Sequence, residues 1–516
     1  MRARSAREGS RQDRSADGRS ARPTREQLRR ENERLRQENE QLKRQNTEQQ
    51  KQIANAEEQI ANAEEQIADL ERQLAARKKN STNSSKPPSS DGLAGEQRPR
   101  HRHRKSKRKA GGQPGHMGQD RPLDPEPDRI VPVLPAECIH CGAGLPQQDW
   151  EVQTVGALQR HQVVDLPPIE PVVTEYQYPK VVCPSCGKGT RATIAPEIQS
   201  GQGEQLTALI AYLTIVRKMT RRDVEGLLQD LLHLSLSVGT IQKAWEETSD
   251  AVQAPYQELE QELKRQPVVH SDETGSRTKG DKRWIWVFCA ASFWFYRITA
   301  SRGAEVLVQV LGDVFGGILC SDRHAAYLKY HHGLAQFCWA HLKRTLLGIQ
   351  NFSKTSDAEC FCRDVLAVLA RLFRLWRRFQ APDRGGGLLS RSELILKVLP
   401  LEKKIFHIAE RYLDSDDREV RNLALALFQH ADKLYTFTEK DGVDPTNNVA
   451  ERALRHAVLL RKISYGNRSA KGEIAVARLL TITQTCKLQQ RPILPYLVDA
   501  VRCHRRHQPL PSLIAP

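Results

Sequence analysis

Four of the eleven cysteines fall into two Cys-x-x-Cys pairs, Cys138-Ile-His-Cys141 and Cys183-Pro-Ser-Cys186, each followed directly by a glycine, Gly142 or Gly187. A turn of this kind offers two thiolates and nearby amides to one tetrahedral ion, so the pairs predict a Zn2+ site with four cysteine ligands. Four protein ligands leave no open position, which makes such a zinc structural. The connection, residues 142–182, exceeds the usual ~15–20 residues. Its strand-like stretches at 162–165 and 172–177 would close a small β-module. Buried or redox-active cysteines are the competing reading.

Carboxylates suggest a second chemistry. Asp272 and Asp322 each end an apolar run, Val268-Val269-His270-Ser271-Asp272 and Ile318-Leu319-Cys320-Ser321-Asp322. Glu451 falls on a helix predicted to start with Asp444 as N-cap and Pro445 in its first turn. Three converging carboxylates could hold two Mg2+ ions about 3.5–4 Å apart, with Mn2+ as a substitute, on the attacking and leaving oxygens of a phosphodiester. Water would free a 3′-hydroxyl, which could then attack a second strand at the same metals. From spacing alone, strand-end aspartates are common and Glu451 with Arg455 also fits an i,i+4 surface pair. Glu273 should point to the opposite face of its strand from Asp272.

Such acids need a scaffold. Residues 267–272, two strands within 283–299, a helix at 304–311, a strand at 317–322, a helical stretch, a strand at 336–339 and a helix from about 340 follow one another. That is the strand order of a ribonuclease-H-like sheet, in which the strands bearing Asp272 and Asp322 are central neighbours. An all-helical insertion at 354–440 separates this first part of the core, 263–353, from a second, 441–498, with a tail at 499–516. Upstream, residues 201–262 read as three short helices, capped in part by Thr220 and Ser237, in a helix-turn-helix-like arrangement. Arg221, Arg222, Gln242 and Lys243 would be exposed for DNA; plain helical packing explains the pattern equally well. A zinc module at 126–200 precedes them.

Nearer the N-terminus, Leu28, Leu35 and Leu42 and then Ile53, Ile60, Ile67 and Leu74 mark heptads over residues 25–78, with Asn32, Asn39 and Asn46 on the seam. The pattern predicts a coiled coil that joins chains into a homodimer or higher oligomer. A basic tail at 1–24 reads as disordered, and residues 79–125 as a basic flexible linker whose lysine and arginine run at 98–109 suits phosphates, a solubilising tail being the competing reading. Across 516 residues, 79 Lys plus Arg face 62 Asp plus Glu, a net charge of +17. That excess favours a polyanionic partner, nucleic acid first. The longest apolar stretch, 284–296, is too short to span a bilayer as a helix. The N-terminal residues lack the apolar segment of a secretory signal. The expectation is a cytoplasmic, nucleoid-associated protein with no membrane partner.

Taken together, NSSKPPSSDG at 83–92, GGQPGHMG at 111–118, the two Cys-x-x-Cys pairs, SDETGSR at 271–277, SDRHAAY at 321–327, CWAHLKR at 338–344 and NNVAER at 447–452 closely resemble the insertion-sequence-66 family of bacterial DDE transposases. The resemblance implies a multidomain α+β chain: coiled coil, zinc module, helix-turn-helix-like bundle, and ribonuclease-H-like core with a helical insertion. It implies Asp272, Asp322 and Glu451 as the metal-binding triad. Arg452, Arg455 and Lys462 follow Glu451 where cations could hold strand phosphates, and His341 could position a phosphate or the attacking water. The implied partners are double-stranded DNA, both the terminal inverted repeats of the element and its target, with small accessory proteins of the element. A nuclease or resolvase that cuts without joining, and an inactive DNA-binding remnant, are the competing readings.

Overall fold

The structure, a computed structural model, describes residues 25–78, 122–148, 156, 158–380, 389–464 and 466–514. The basic tail at 1–24 and the lysine and arginine run at 98–109 lie outside the described residues. The chain divides into two units, Met1–Lys79 and Asn80–Pro516.

The first unit is one long helix, α1 (Arg25–Lys78). Its seam residues Leu35, Leu42, Ile53 and Ile60 are all exposed. A 54-residue helix with so little apolar burial of its own gains stability chiefly by packing an apolar stripe against another helix.

In the second unit, two short antiparallel strands, β1 (Val181–Val182) and β2 (Gly189–Thr190), flank the second cysteine pair. The strands expected at 162–165 and 172–177 do not form: Val163, Val164, Val172 and Val173 stand in solvent without a pairing partner among the described residues. A strand needs a neighbour for its ladder, and the alternation of side chains alone does not supply one.

Three helices follow: α2 (Glu204–Ile215), α3 (Arg221–Leu232) and α4 (Val238–Ala251). Thr220 and Asp223 form a reciprocal capping box on α3, and the Ser237 side chain accepts from Thr240 N–H on α4. They bury Ile210, Val224, Leu228, Ile241 and Ala244 against one another. After α5 (Gln253–Leu263) comes the sheet: β3 (Val268–Thr278), β4 (Asp281–Cys289), β5 (Trp294–Thr299), β6 (Ile318–Ser321) and β7 (Ala335–Phe337). Between them lie α6 (Ala304–Leu311) and α7 (Ala325–Tyr330). The spatial order is β5-β4-β3-β6-β7, with β3, β6 and β7 parallel and β3, β4 and β5 antiparallel. The sheet is thus mixed, with β3 at its centre and β6 beside it.

Unlike the expectation, β3 does not end at Asp272. Its parallel pairing with β6 stops at His270, but its antiparallel pairing with β4 continues to Thr278. The hairpin closes through Lys279 and Gly280, both at positive φ, the geometry of the two-residue turns that match strand twist.

α8 (Trp339–Phe352) follows β7, and then the helical segment α9 (Ser356–Gln380), α10 (Arg391–Glu410), α11 (Arg418–Gln429) and α12 (Thr436–Glu439). The chain returns through α13 (Asn448–Ser464), α14 (Ala470–Leu488) and α15 (Ile493–Arg505). Alternation along β6 splits the core: Leu319 joins a cluster with β4, β5, α13 and α14, whereas Ile318 and Cys320 join one built on α8, α9, α10 and α11. Threonines of α14 cover the β5 edge. Thr481 accepts from Tyr296 N–H at 2.9 Å, and Thr485 accepts from Trp294 N–H at 3.3 Å, so the edge strand is not left open for pairing.

Residues 499–516 are not the simple tail expected, because the apolar period of α15 runs on through buried Ala500 and Val501. Arg505, also buried, bonds Glu247 of α4 and the Gln202 carbonyl, each at 2.7 Å, which locks the three-helix region to the C-terminal helix.

Candidate active site

The register of the parallel pair sets the first two acids. His270 faces Cys320 as the last pair, and Asp272 and Asp322 each follow two residues later. They are therefore level on neighbouring chains, in a sheet whose strands lie ~4.8 Å apart. Asp272 is half-buried, and its carboxyl is pushed well above the usual range, first by burial and then by the charges of Glu273, Asp322 and Glu451. Asp322 accepts the N–H of His324 at 2.8 Å, which fixes its orientation at the start of α7.

Glu451 comes from the first turn of α13, which packs on β3 and β4. The helix starts at Asn448, not at Asp444-Pro445 as expected. The reason is that the Pro445 carbonyl accepts from Trp339 N–H at 2.9 Å, holding residues 444–447 as a crossing segment against the start of α8. Asn447 ends that segment in full burial. Its amide donates to the Ser271 carbonyl at 2.7 Å, its oxygen accepts from His270 Nδ1 at 3.2 Å, and its backbone N–H points to Cys338 Sγ at 3.1 Å.

Two side chains of α8 reach Glu451. Arg344 donates to Oε1 at 2.6 Å and His341 Nε2 lies 3.7 Å from the same oxygen. His341 Nδ1 is buried without a hydrogen-bond partner. Burial, and next the Arg344 charge, push the imidazole below its usual value, against the pull of Asp322 and Glu451. His341, Asp322 and Glu451 thus share one neighbourhood, with Arg323 acting on His341 as well. Sequence reasoning passed over Arg344, although it lies three residues after His341 and so on the same helix face.

Among the described residues, Cys338, His341 and Glu451 also offer ligand atoms within 4.8 Å of one another. Cys338 is pushed up to about 11, chiefly by burial, and its sulfur already accepts from Asn447. A sulfur already engaged by a buried backbone N–H suits packing better than ligation. The carboxylates of Asp272, Asp322 and Glu451 are hard oxygen donors of the kind Mg2+ takes, but their oxygens are not drawn into one set within 4.8 Å.

The remaining predicted residues are placed as follows. Glu273 is buried, accepts from Tyr327 Oη at 2.6 Å and Arg302 Nε at 2.7 Å, and feels the charge of Asp322. Arg452, Arg455 and Lys462 are exposed on α13, with Arg455 and Lys462 on the row of Glu451 by their i+4 and i+11 spacing. Arg222 and Lys243 are exposed. Arg221 and Gln242, expected to be exposed, are not: Arg221 stacks 4.3 Å over Trp245, and its Nε donates to Gln242 at 3.1 Å. A guanidinium covering an indole is held by that ring as well as by charge.

Both cysteine pairs form the same knuckle. Gly142 N–H bonds the Cys138 carbonyl and Gly187 N–H the Cys183 carbonyl, each at 2.9 Å, with both glycines at positive φ. Amides of His140 and Cys141 lower the Cys138 thiol, and those of Cys186 and Ser185 lower Cys183, favouring the thiolates a metal needs. The four sulfurs are not drawn into one set within 4.8 Å.

Comparison with known proteins adds to this geometry. The family described as Transposase IS66 family matches residues 199–474, more than half of the chain. The chain belongs to this family. The zinc-finger binding domain of transposase IS66 matches residues 135–187, which include all four knuckle cysteines, and a family of unknown function matches 13–122. Similar proteins include the uncharacterized proteins y4qI and y4jD of Sinorhizobium fredii. The first is 26% identical over 249 residues, 43% of this chain and 44% of the relative. The second is 23% identical over 385 residues, 67% of this chain and 73% of the relative. The chain thus spans less than half the length of y4qI. Membership of the transposase family and its zinc-finger domain agree with DNA binding and a structural zinc. No described helix is long and apolar enough to cross a membrane.

Proposed function

We propose that this IS66-family chain is a DNA transposase that binds the ends of an insertion sequence and carries out strand cleavage and strand transfer by a two-metal DDE mechanism. The observation that carries the reading is the register of β3 and β6, two residues short of Asp272 and Asp322, with the helix of Glu451 packed over β3. The central β3, its antiparallel hairpin and its parallel neighbour support a ribonuclease-H-like core, residues 263–353 and 441–498, with 354–440 inserted.

In this reading Asp272, Asp322 and Glu451 hold the metals. When bound, Mg2+ supplies Lewis-acid stabilisation at the attacking and leaving oxygens. Arg344 balances Glu451, and His341 positions a phosphate or the attacking water. Arg452, Arg455 and Lys462 hold strand phosphates, while the zinc module of Cys138, Cys141, Cys183 and Cys186 and the α2–α4 region, through Arg222 and Lys243, recognise the ends. The exposed apolar seam of α1 supports a coiled-coil dimer or higher oligomer.

The test uses the full chain and a labelled duplex carrying the terminus of the element that encodes it. Mg2+-dependent nicking, and joining of pre-cut ends, are expected with the wild type and lost with Asp272→Ala, Asp322→Ala, Glu451→Ala or EDTA. Cutting without joining would favour a nuclease or resolvase. Alanine variants as active as the wild type would end the proposal.

A further inference from the structure

The helical segment between β7 and α13 carries a surface that the reaction above does not use. On α9, residues 365–380 contain no acid and four arginines, Arg371, Arg374, Arg377 and Arg378. All four are exposed, whereas Val365, Val368, Leu369, Leu372, Leu375 and Trp376 turn inward. The rest of the exposed face in this stretch is Ala367, Ala370 and Gln380. Its charges are thus all positive, and small residues separate them. Arg371, Arg374 and Arg378 follow i, i+3, i+7 and form one row about 10 Å long at ~1.5 Å per residue. Arg371 and Arg374 enter no ion pair among the described residues; Arg378 has Glu393 nearby.

Contacts hold the C-terminal end of the row, next to the segment that leads to the candidate active site. Trp376 meets Phe437 edge-on with ring centres 5.1 Å apart, and Arg391 stacks over Phe379 at 4.8 Å. Arg391 also donates to the Phe437 and Thr438 carbonyls. Gln380, the last residue of α9, donates to Asp444 at 3.2 Å, in the same crossing segment that ends at Asn447 and opens the helix of Glu451.

From this we infer that α9 is a sequence-independent docking surface for double-stranded DNA, contacting backbone phosphates to one side of the bond being cut. The inference rests on the transposase reading. Its support is charge complementarity: a ~10 Å row matches about three phosphates at ~3.4 Å of axial rise per strand, and arginine forks suit phosphate oxygens. Alanine at 367 and 370 leaves room for the backbone to approach. A solvated helix face with its cations near the C-terminus would look similar, but would not change the salt dependence of DNA binding.

The experiment measures binding of the full chain to a 40-base-pair duplex of arbitrary sequence, in EDTA, across a salt series. Each lost phosphate contact reduces the slope of log affinity on log salt by ~0.9. Arg371→Gln/Arg374→Gln/Arg378→Gln should therefore lower the slope by about 2–3 and weaken binding at least ~10-fold at moderate salt. The corresponding triple lysine variant should keep the wild-type slope. A photo-crosslinking residue at Ala370 should capture the duplex, an outcome independent of whether the triple variant folds well. An unchanged slope in a folded glutamine variant, or no crosslink from position 370, would overturn the inference. So would loss of binding to polyglutamate without loss to the duplex, which would assign the surface to an acidic protein. Because no cleavage is measured, failure here leaves the three-acid reading untouched, and failure of cleavage would remove the placement beside a cut bond without altering the salt slope of the duplex.

Discussion

The side-chain amide of Asn447 donates to the carbonyl of Ser271 at 2.7 Å, tying the residue that precedes the helix of Glu451 to the one that precedes Asp272. Because His270 is joined to the same asparagine, the spacing of first and third acids depends on one buried amide. Asn447→Ala leaves two buried polar groups unpaired, at about 1–3 kcal/mol. It should lower the thermal midpoint and reduce end cleavage at least ~10-fold even where the protein is folded, since misplacement by about an ångström is that costly. Wild-type cleavage rates in a destabilised variant would show that the amide serves stability alone.

Arg344 competes for the oxygen of Glu451 that a divalent cation would use. Removing its charge leaves Asp272, Asp322 and Glu451 less compensated. Arg344→Ala should bind Mn2+ several-fold more tightly, read by the loss of its free-ion paramagnetic resonance signal, whereas Arg344→Lys should stay near the wild type. Unchanged or weaker Mn2+ binding in the alanine variant would remove Arg344 from this role.

Much of this arrangement was legible in the sequence, and the parts that were not have definite causes. Short apolar runs before Asp272 and Asp322 marked β3 and β6, because strands buried on both faces are written as continuous apolar stretches. The extension of β3 to Thr278 was hidden, because Thr-Gly-Ser-Arg-Thr is polar and becomes strand only by pairing with β4. The start of α13 was misjudged because Asp444-Pro445 has the local chemistry of a helix start, while its carbonyl is claimed by Trp339 from a distant segment. Arg221 followed the same logic: its charge suggested solvent, and Trp245 holds it instead. In each case a partner outside the stretch itself decided, the next strand for β3 and more distant residues for α13 and Arg221, and the pattern of the stretch carries no record of such partners.

The knuckles make the zinc-finger match testable by metal content. Ligation requires deprotonated sulfurs from both pairs, so Cys138→Ser or Cys183→Ser should each reduce bound zinc from one per chain to near zero. Protease sensitivity should rise between residues 142 and 182, with the thermal transition of the remaining protein unmoved. Full zinc content in both single variants would exclude a site shared by the two pairs.

Lys218 gives stability a pH dependence of known sign. Burial, with the charge of Lys487 next, pushes its amine down from 10.5 to about 8. Between about pH 8 and 10.5 the unfolded chain holds this proton and the folded chain has released it, so stability due to this group rises with pH across that window. Lys218→Met lacks the effect. The difference in unfolding free energy, wild type minus variant, should therefore move in favour of the wild type by about 2 kcal/mol from pH 7 to pH 10.5, after allowance for partial exposure. Paired urea titrations at the two pH values measure it, and a difference that stays flat or moves the other way would show that the amine is not buried as a cation at neutral pH.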